Sequence, residues 1–405
     1  MTILFFPSAP INGGTFDLAS GNSNFSVCQL TPNKFLAVYR QNSPSFTLAQ
    51  VVNIIDKNTV TFGNVWVVNS IPTTTSVVVK KIKGTTDKAL LICENGPTKT
   101  LYTQILTVDS NDDISASPFS TFVESNGSFI YLINVISFDS YDNRMVINLN
   151  YNDYYFLSRK ILIDTTLNTT TIISNYFTGL TNEFYGSYQD DIDSSNDQYC
   201  VIVKAVTGSF YYFTILKRNF PGLNSSSSYS NPSVTTTILK SDIYPGSGKI
   251  SKISNILKLG NFLYFTINTS TDPNTNDRLC EFNLSTNSET FYTLTGSRHL
   301  VNLEKVDDYH YVEVQNYIST SPIGTGMKMR VLRSLLPNIL ESPLNPITVL
   351  PSQSGTFRTN YRTISNSSTT VYLHNLNKNT FLINSNLFCY FYKTSQNYRV
   401  ALLYN

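Results

Sequence analysis

One type of segment recurs along the chain at a long period. It is a turn followed by about seven apolar, β-prone residues, and the first four copies recur roughly every 55 residues. The copies are Lys34–Arg40, Lys88–Glu94, Asn143–Leu149, Gln198–Lys204, Asn261–Ile267 and Tyr309–Gln315, with a seventh near Thr380–Ile383 or Leu387–Phe391. The later spacings vary more, as loop insertions would cause. A fixed long period indicates a chain built from repeated structural units.

Each copy has companions in the same order. In the first unit an alternating strand precedes it at Phe25–Leu30, a second alternating strand follows at Thr47–Ile55, and a fourth closes the unit from Thr59 to Phe62. Period-two alternation punctuated by Asn, Asp, Gly and Pro predicts strands joined by hairpins. Composition agrees, because the chain is 41% hydrophobic and carries 26 Tyr and 25 Phe, which are residues that favour strands.

These patterns predict an all-β protein of one domain over residues 1–405. Four antiparallel strands per unit, with an inner strand apolar on both faces, predict a seven-bladed β-propeller. Six or eight blades also fit the degenerate spacing. The expected blades are 25–72, 75–125, 128–178, 182–240, 249–297, 299–350 and 357–405, the last completed by residues 1–10.

The two chain ends predict how the ring closes. The last unit ends on a third-strand pattern at Tyr398–Tyr404, whereas Thr2–Phe6 reads as a strand without a unit of its own. Pairing the N-terminal strand with the last blade would remove the free edges of an open array.

The first unit carries a family resemblance. Its runs Phe35–Gln41 and Thr47–Asn64 (FLAVYRQ and TLAQVVNIIDKNTVTFGN) resemble the repeats of degenerate propellers in bacterial and phage surface proteins. The chain lacks the Gly-His and Trp-Asp signature of WD40 repeats, since it holds one Trp and three His. The kelch double glycine and the sialidase Asp box are missing as well. The resemblance implies a propeller with a surface role.

Residues able to perform catalysis are few. His299, His310 and His374 lie in or beside strand patterns, where a single His is usually structural, and no Gly-x-Ser-x-Gly elbow accompanies them. A catalytic triad stays open, because its members meet in space and not in sequence. The five cysteines form no CxxC pair, which argues against zinc and favours buried apolar roles. We expect no enzyme activity, with a glycan-active hydrolase or lyase as the alternative.

Acidic clusters offer a second type of candidate site. Oxygen ligands at alternate loop positions suit a hard cation such as calcium. The candidate ligands are Asp190, Asp191, Asp193, Asp197, Asp272 and Asp277, and a further cluster spans Asp109–Asp113. None has the EF-hand pattern, and Asp and Asn are also the residues that tight turns require. We therefore expect ordinary turns, no bound metal and no cofactor.

Aromatic side chains are the remaining candidates for binding. Tyr and Trp combine a flat apolar face with a polar tip, which suits both sugars and protein partners. The candidates are Trp66, Tyr154, Tyr155, Tyr211 and Tyr212. Packing between blades is the competing interpretation for each. A Ser/Asn-rich segment, Phe220–Pro232, is expected to be a long loop.

Charge narrows the partners. The net charge is +2 and no Lys/Arg cluster exists, so nucleic-acid binding is not expected. The N-terminus shows neither a signal peptide nor a membrane span, so no membrane insertion is expected.

We expect a non-enzymatic structural or attachment protein of a virus or phage particle, associated with its tail or capsid and located in the virion. Its partners would be other structural proteins of the assembly or surface glycans. The alternatives are a soluble, lectin-like carbohydrate-binding propeller and an intracellular (cytoplasmic) protein-interaction scaffold.

Overall fold

A computed structural model of the chain places much of its backbone. The described residues are 11–20, 25–42, 45–68, 76–95, 98, 100–123, 130–137, 144–151, 155–181, 184–188, 197–205, 211–219, 235–245, 250–253, 256–259, 261–269, 278–293, 298–305, 310–320, 323–333, 362–365, 380–384, 387–393 and 397–404. Within these ranges every regular element is a β-strand and none is a helix, which confirms the all-β prediction.

The strands form seven antiparallel sheets, numbered here in chain order from the sheet that begins at residue 25. Sheet 1 contains β2 (Phe25–Thr31), β3 (Lys34–Asn42), β4 (Ser45–Ile54), β5 (Val60–Phe62) and β6 (Trp66–Val68). Sheet 2 contains β7 (Ser76–Lys81), β8 (Lys88–Asn95), β9 (Thr100–Val108), β10 (Ile114–Ala116) and β11 (Ser120–Val123). Sheet 3 contains β12 (Ile130–Ser137), β13 (Arg144–Tyr151), β14 (Tyr155–Asp164) and β15 (Thr169–Thr181).

The second half of the chain continues the same plan. Sheet 4 contains β16 (Phe184–Tyr188), β17 (Asp197–Ala205), β18 (Tyr211–Asn219) and β19 (Thr235–Ile243). Sheet 5 contains β20 (Ile250–Ile253), β21 (Leu257–Leu259), β22 (Phe262–Thr269), β23 (Arg278–Asn283) and β24 (Ser288–Thr293). Sheet 6 contains β25 (Arg298–Lys305), β26 (His310–Thr320), β27 (Ile323–Arg333) and β28 (Arg362–Ser365), and sheet 7 contains β29 (Thr380–Asn384), β30 (Leu387–Lys393), β31 (Asn397–Tyr404) and β1 (Ile11–Ser20).

Strand order in sheets 1 to 6 follows the chain, whereas in sheet 7 the N-terminal β1 lies beside β31, and neighbouring strands pair antiparallel. Where its burial is described in full, the second strand is buried on both faces, as its apolar pattern predicts; in β8 every residue after Lys88 is buried. The outer strand of sheets 1 and 2 is split into two short pieces, since β5 and β6 both pair with β4, and β10 and β11 both pair with β9.

The N-terminal segment is the fourth strand of the last sheet. β1 pairs with β31 from Ile11 opposite Tyr404 to Ser20 opposite Asn397. Residues 1–10, which were expected to make this pairing, lie outside the described residues. The sequence favoured Thr2–Phe6 because that run is apolar, whereas β1 contains Gly13–Gly14 and two irregularities in register, which weaken its alternation.

The sixth sheet also ends later than expected. β28 pairs with β27, with Met327 opposite Ser365, so Arg362–Ser365 belong to sheet 6 and not to the 357–405 unit. Residues 334–361 separate the two strands in sequence, and this long insertion obscures the boundary between the units.

Adjacent sheets share apolar cores. Side chains of sheet 1 pack against sheet 2 on one face and against sheet 7 on the other. Phe35 of β3 lies 5.2 Å from Phe381 and 5.3 Å from Phe391 between ring centroids, joining the first sheet to the last. Sheet 2 packs on sheet 3, and sheet 4 on sheet 5. The described cores therefore join sheet 7 to sheet 1, sheet 1 to sheet 2, sheet 2 to sheet 3, and sheet 4 to sheet 5.

A lysine at the start of a second strand contacts the hairpin of the next sheet in two places, and we call this contact the polar latch. Lys34, at the start of β3, places Nζ 2.6 Å from Asp112 Oδ1 in the hairpin of sheet 2. Lys88, at the start of β8, donates to Asn168 Oδ1 at 2.9 Å and to the Thr165 carbonyl at 2.8 Å in the hairpin of sheet 3. Asp112 and Asn168 both have positive φ, 66° and 51°, which Asp and Asn tolerate better than most residues. The same type of contact therefore joins sheet 1 to sheet 2 and sheet 2 to sheet 3.

A buried glutamine side chain forms a hydrogen bond at the break in each split outer strand, and we call this contact the glutamine clip. Gln50 Nε2 donates to the Gly63 carbonyl at 3.0 Å, between β5 and β6. Gln104 Nε2 donates to the Ser117 carbonyl at the equivalent break between β10 and β11. Both glutamines are buried, so each carboxamide replaces a ladder hydrogen bond where the outer strand leaves the sheet.

We expect Gln104→Ala to lower the free energy of unfolding by about 1–3 kcal/mol, because it leaves a carbonyl in the gap without its donor. Urea unfolding measures this. Thr107→Val, on the same strand, is the matched control and should change stability by less than about 0.5 kcal/mol. An equal effect of the two substitutions would contradict the clip.

A double-mutant cycle of Lys34→Met with Asp112→Asn should give a coupling energy of about 0.5–1 kcal/mol, because both side chains are partly exposed. Asparagine keeps the tolerance for positive φ, so the cycle isolates the ion pair. Coupling should weaken in 1 M NaCl. Lys34→Met with Asp56→Asn, whose carboxylate instead caps its own turn, should show coupling near zero; similar values for both cycles would exclude a specific latch.

Candidate functional site

The aromatic candidates separate sharply in the structure. Trp66 packs against the core between sheets 1 and 2, and Tyr211 packs against the core between sheets 4 and 5. Tyr212 is exposed, with 39% of its surface accessible. Tyr155 begins β14, and Tyr154 lies outside the described residues. Tyr212 is therefore the candidate aromatic that the structure brings to the surface.

Tyr212 lies on an exposed strip across β18 and β19. It stands opposite Ile243, which is 48% exposed, and Ile238, 58% exposed, stands opposite Leu216 on the same face. Between them the hydroxyls of Thr214 and Ser241 are 3.1 Å apart. We call these five residues, Tyr212, Thr214, Ile238, Ser241 and Ile243, the Tyr212 strip. It runs roughly 13 Å along the strands, at about 3.3 Å per residue.

β19 is also an edge strand. In the described part of the chain it pairs with β18 alone, and seven of its nine residues are exposed. Outer strands β5, β6, β10 and β11 have only three or four residues each. Short edges are one way in which proteins avoid unwanted strand pairing, whereas β19, like the outer strands β1 and β15, is a long one.

The ladder fixes the direction of its amides. The Tyr244 amide donates to the Tyr211 carbonyl at 2.7 Å, which makes alternate pairs of β18 and β19 hydrogen-bonded and leaves Tyr212–Ile243 and Thr214–Ser241 as non-bonded pairs. The Ser241 and Ile243 amides therefore point away from β18. Asp242 Oδ1 accepts from the Ile243 amide at 2.8 Å, which caps that end of the edge.

Lys240 and Asp242 lie on the face of β19 opposite to the strip, whereas the register places Lys204 opposite Tyr212 and Arg218 opposite Thr236 on the strip's own face. Lys240 Nζ is 3.1 Å from Glu289 of sheet 5 and 3.4 Å from Asp242. The hydrogen bond to Glu289 raises the pKa of Lys240, and the hydrogen bond from the Ile243 amide lowers the pKa of Asp242. The five residues of the strip themselves carry no charge.

The acidic candidates do not meet as a cation site. Asp197 is buried, pairs with Lys217 at 2.8 Å and accepts from Asn219 at 2.7 Å. Asp190, Asp191, Asp193, Asp272 and Asp277 lie outside the described residues. Where side chains are described, no group of three metal-ligating residues occurs. In the Asp109–Asp113 cluster, Asp109 Oδ1 accepts from the Asn111 and Asp113 amides, which is a turn-closing role.

The cysteine thiols and the histidines are the other side chains with catalytic chemistry. All five cysteines are free and buried. Burial raises the pKa of Cys28 and Cys200 to about 12 and raises those of Cys93 and Cys280, which opposes thiolate formation. His299 and His310 lie on β25 and β26, and His374 is outside the described residues. The cysteines fit their expected apolar role.

A buried acid in sheet 5 was not anticipated. Glu281, 3% exposed, accepts a hydrogen bond from the Tyr264 hydroxyl at 3.1 Å on the neighbouring strand. Burial raises the pKa of Glu281 from 4.5 to about 7, while the tyrosine hydrogen bond acts in the opposite direction. The sequence places Glu281 in a strand, but whether its side chain is buried depends on how the neighbouring sheet packs.

The exposed isoleucines of the strip were missed for a related reason. In the run Thr235–Ile243, Ile238 stands next to Leu239, and Ile243 follows three polar residues, so the pattern does not show which of the apolar residues face outward. A register irregularity opposite Ile215–Leu216 changes which residues face outward. One signal of exposure was present in the sequence: the strand begins with three consecutive threonines, Thr235–Thr237, and all three are exposed.

The chain is similar to known proteins in its fold. No protein-family model matches the chain, and no curated protein matches it. Sqt1 from Chaetomium thermophilum is similar at a TM-score of 0.51 and 11% identity, over 98% of this chain and 100% of that one. The core factor of S. cerevisiae is similar at a TM-score of 0.50 and 12% identity, over 100% of this chain and 62% of that one. At such identities both likenesses concern the fold alone.

A putative 6-phosphogluconolactonase from Bacteroides uniformis is more distant. Its TM-score is 0.43 at 9% identity, over 75% of this chain and 83% of that one. Separately, among the residues with described structure, no helix has the length and apolar character needed to cross a membrane.

The buried acid gives a pH prediction. Above pH 4.5 the unfolded chain releases the Glu281 proton, whereas the folded chain holds it up to about pH 7. Its contribution to stability is therefore complete below pH 4.5 and is lost as pH rises to 7. Glu281→Gln should match the wild type near pH 4.5 and exceed it by about 2 kcal/mol at pH 8.

Urea unfolding at several pH values measures this difference. Tyr264→Phe is the control, because loss of its hydrogen bond should move the pH-dependent change of the wild type to higher pH. A stability difference between Glu281→Gln and the wild type that stays constant from pH 4.5 to 8 would exclude a buried, protonated Glu281.

Proposed function

We propose that the seven sheets form a closed, seven-bladed β-propeller. Three observations support this: the four-strand plan repeats in chain order, sheet 1 packs on both sheet 2 and sheet 7, and β1 is the outer strand of the last sheet. A sheet that needs a neighbour on each face finds one everywhere only when the array closes.

We further propose that the protein is a non-enzymatic structural or attachment component of a virus or phage particle, acting in the virion. The observation that carries this is the Tyr212 strip, an exposed, uncharged surface on a sheet held by a buried core. Exposed apolar residues grouped on a rigid sheet favour docking to another surface. Partners would be other structural proteins of the assembly or surface glycans.

A lectin-like role is the second candidate. An exposed tyrosine beside two hydroxyls is suited to stacking on a neutral sugar. The candidate aromatic of sheet 1, Trp66, is packed into a core and offers no equivalent surface. The strip therefore favours one sugar site over a repeated one. An intracellular interaction scaffold would use the same surface, and it differs from a particle component in being located in the cell and not in the virion.

Sedimentation of native lysate from the source, with mass spectrometry of each fraction, tests the proposal. We expect recovery with large particles at fixed stoichiometry. Ile238→Asp together with Ile243→Asp should reduce that recovery about tenfold, since charge in a docking surface is costly. Leu167→Asp is the control, because Leu167 is also an exposed apolar residue (72%, against 58% and 48% for the two isoleucines) but lies on the hairpin of sheet 3, and it should leave the recovery unchanged.

Recovery only as a slowly sedimenting species would refute the particle role. Binding of that species to a neutral glycan array, lost on Tyr212→Ala, would then support the lectin-like function. A free species without glycan binding would point to a scaffold.

A further inference from the structure

We propose that each split outer strand holds one water molecule inside its break. This water donates a hydrogen bond to Gln50 Oε1 in sheet 1 and to Gln104 Oε1 in sheet 2, so it is the third component of the glutamine clip. The proposal concerns the interior of the fold. It therefore goes beyond the proposed function and does not depend on the particle role.

The glutamine clip uses one half of each carboxamide. Nε2 of Gln50 donates to the Gly63 carbonyl, and Nε2 of Gln104 donates to the Ser117 carbonyl. A carbonyl oxygen accepts and never donates, so these bonds fix which end of each carboxamide is the nitrogen. The oxygen at the other end is enclosed in both cases, and no donor among the described residues bonds to it.

The two oxygens occupy the same place in the repeat. Gln50 lies between the pairs that β4 makes with β5 and β6, and Gln104 lies between the pairs that β9 makes with β10 and β11. The exposed fractions of the two residues are 7% and 6%. A buried carbonyl oxygen without a donor is costly, and in native proteins nearly every such atom is satisfied by protein or by ordered water.

The backbone supplies a second partner in sheet 1. The Val51 carbonyl accepts from the Gly63 amide at 3.0 Å, so the Val51 amide also points toward the break. The Gly63 carbonyl, which a regular ladder would offer to that amide, accepts from Gln50 instead. In sheet 2 the equivalent amide, that of Ile105, donates to Ser117 Oγ at 3.0 Å. Gly63 has no hydroxyl, so the Val51 amide lacks this acceptor.

The neighbouring sheet keeps position 63 a glycine. A Cβ at Gly63 would lie 2.9 Å from the Asp112 carbonyl oxygen, so a serine cannot take the role that Ser117 has in sheet 2. The occupant of the sheet 1 break must donate to a carboxamide oxygen and accept from an amide. Water does both, whereas a monovalent cation would bind the oxygen but could not accept from the amide.

An atomic-resolution crystal structure of the full chain tests the proposal. We expect a density peak about 2.8 Å from each of the two Oε1 atoms. Gln104→Met removes the carboxamide of sheet 2, so its peak should disappear while the peak beside Gln50 remains. Gln50→Met should have the converse effect, so each variant is the matched control of the other.

A measurement in solution holds even if the methionine variants fail to fold. In the wild type with glutamine side chains labelled with ¹⁵N, we expect the nuclear Overhauser effect from water to the Nε2 protons of Gln50 and Gln104 to have the sign of a long-lived contact.

Three crystal results would overturn the proposal. They are an ordered carboxamide without a peak in either break, a peak in one break alone, and an Oε1 atom bonded to a protein donor. An anomalous peak beside Oε1 in crystals soaked in rubidium chloride would replace the water with a monovalent cation, and would reject the proposal as well. None of these results bears on sedimentation with particles, so the two proposals fail separately.

Discussion

The second strand of each repeat carries apolar side chains on both faces, and no sheet covers both faces with its own strands. In β3, Phe35 and Tyr39 pack toward sheet 7 while Leu36 and Val38 pack toward sheet 2. In β8, alternate residues divide in the same way between sheets 1 and 3. Burial of these side chains, at about 25 cal/mol per Å² of apolar surface, requires a neighbour on each side. The sharing of cores between consecutive sheets follows from this requirement.

This requirement explains which parts of the fold were predictable. A strand that is apolar on both faces has a distinctive pattern, so β3 and β8 could be located from sequence, and their spacing gave the repeat. β1 could not, because its glycines and register irregularities erase alternation and its pairing depends on the far end of the chain. The split of the outer strands was also hidden, since a glutamine such as Gln50 looks like any polar residue until its carbonyl partner is known.

The candidate site shows the same division at single-residue scale. Tyr211 and Tyr212 are adjacent and chemically alike, yet one packs in a core and the other is exposed. Because side chains alternate across a strand, a shift of one residue in register exchanges their roles. The sequence could identify Tyr211 and Tyr212 as candidates, but it could not show which of the two side chains is exposed. The Asp109–Asp113 cluster gave the opposite outcome, because its local turn chemistry was readable and its carboxylates serve turns and latches.

The charges and the neutral surface have separate places, and this separation bears on function. The Lys34 and Lys88 latches lie where second strands begin, so they join neighbouring hairpins. Lys240 joins sheets 4 and 5 on the inner face of β19. Because these charges are engaged between sheets, the outward face of β19 retains only neutral side chains and its own backbone.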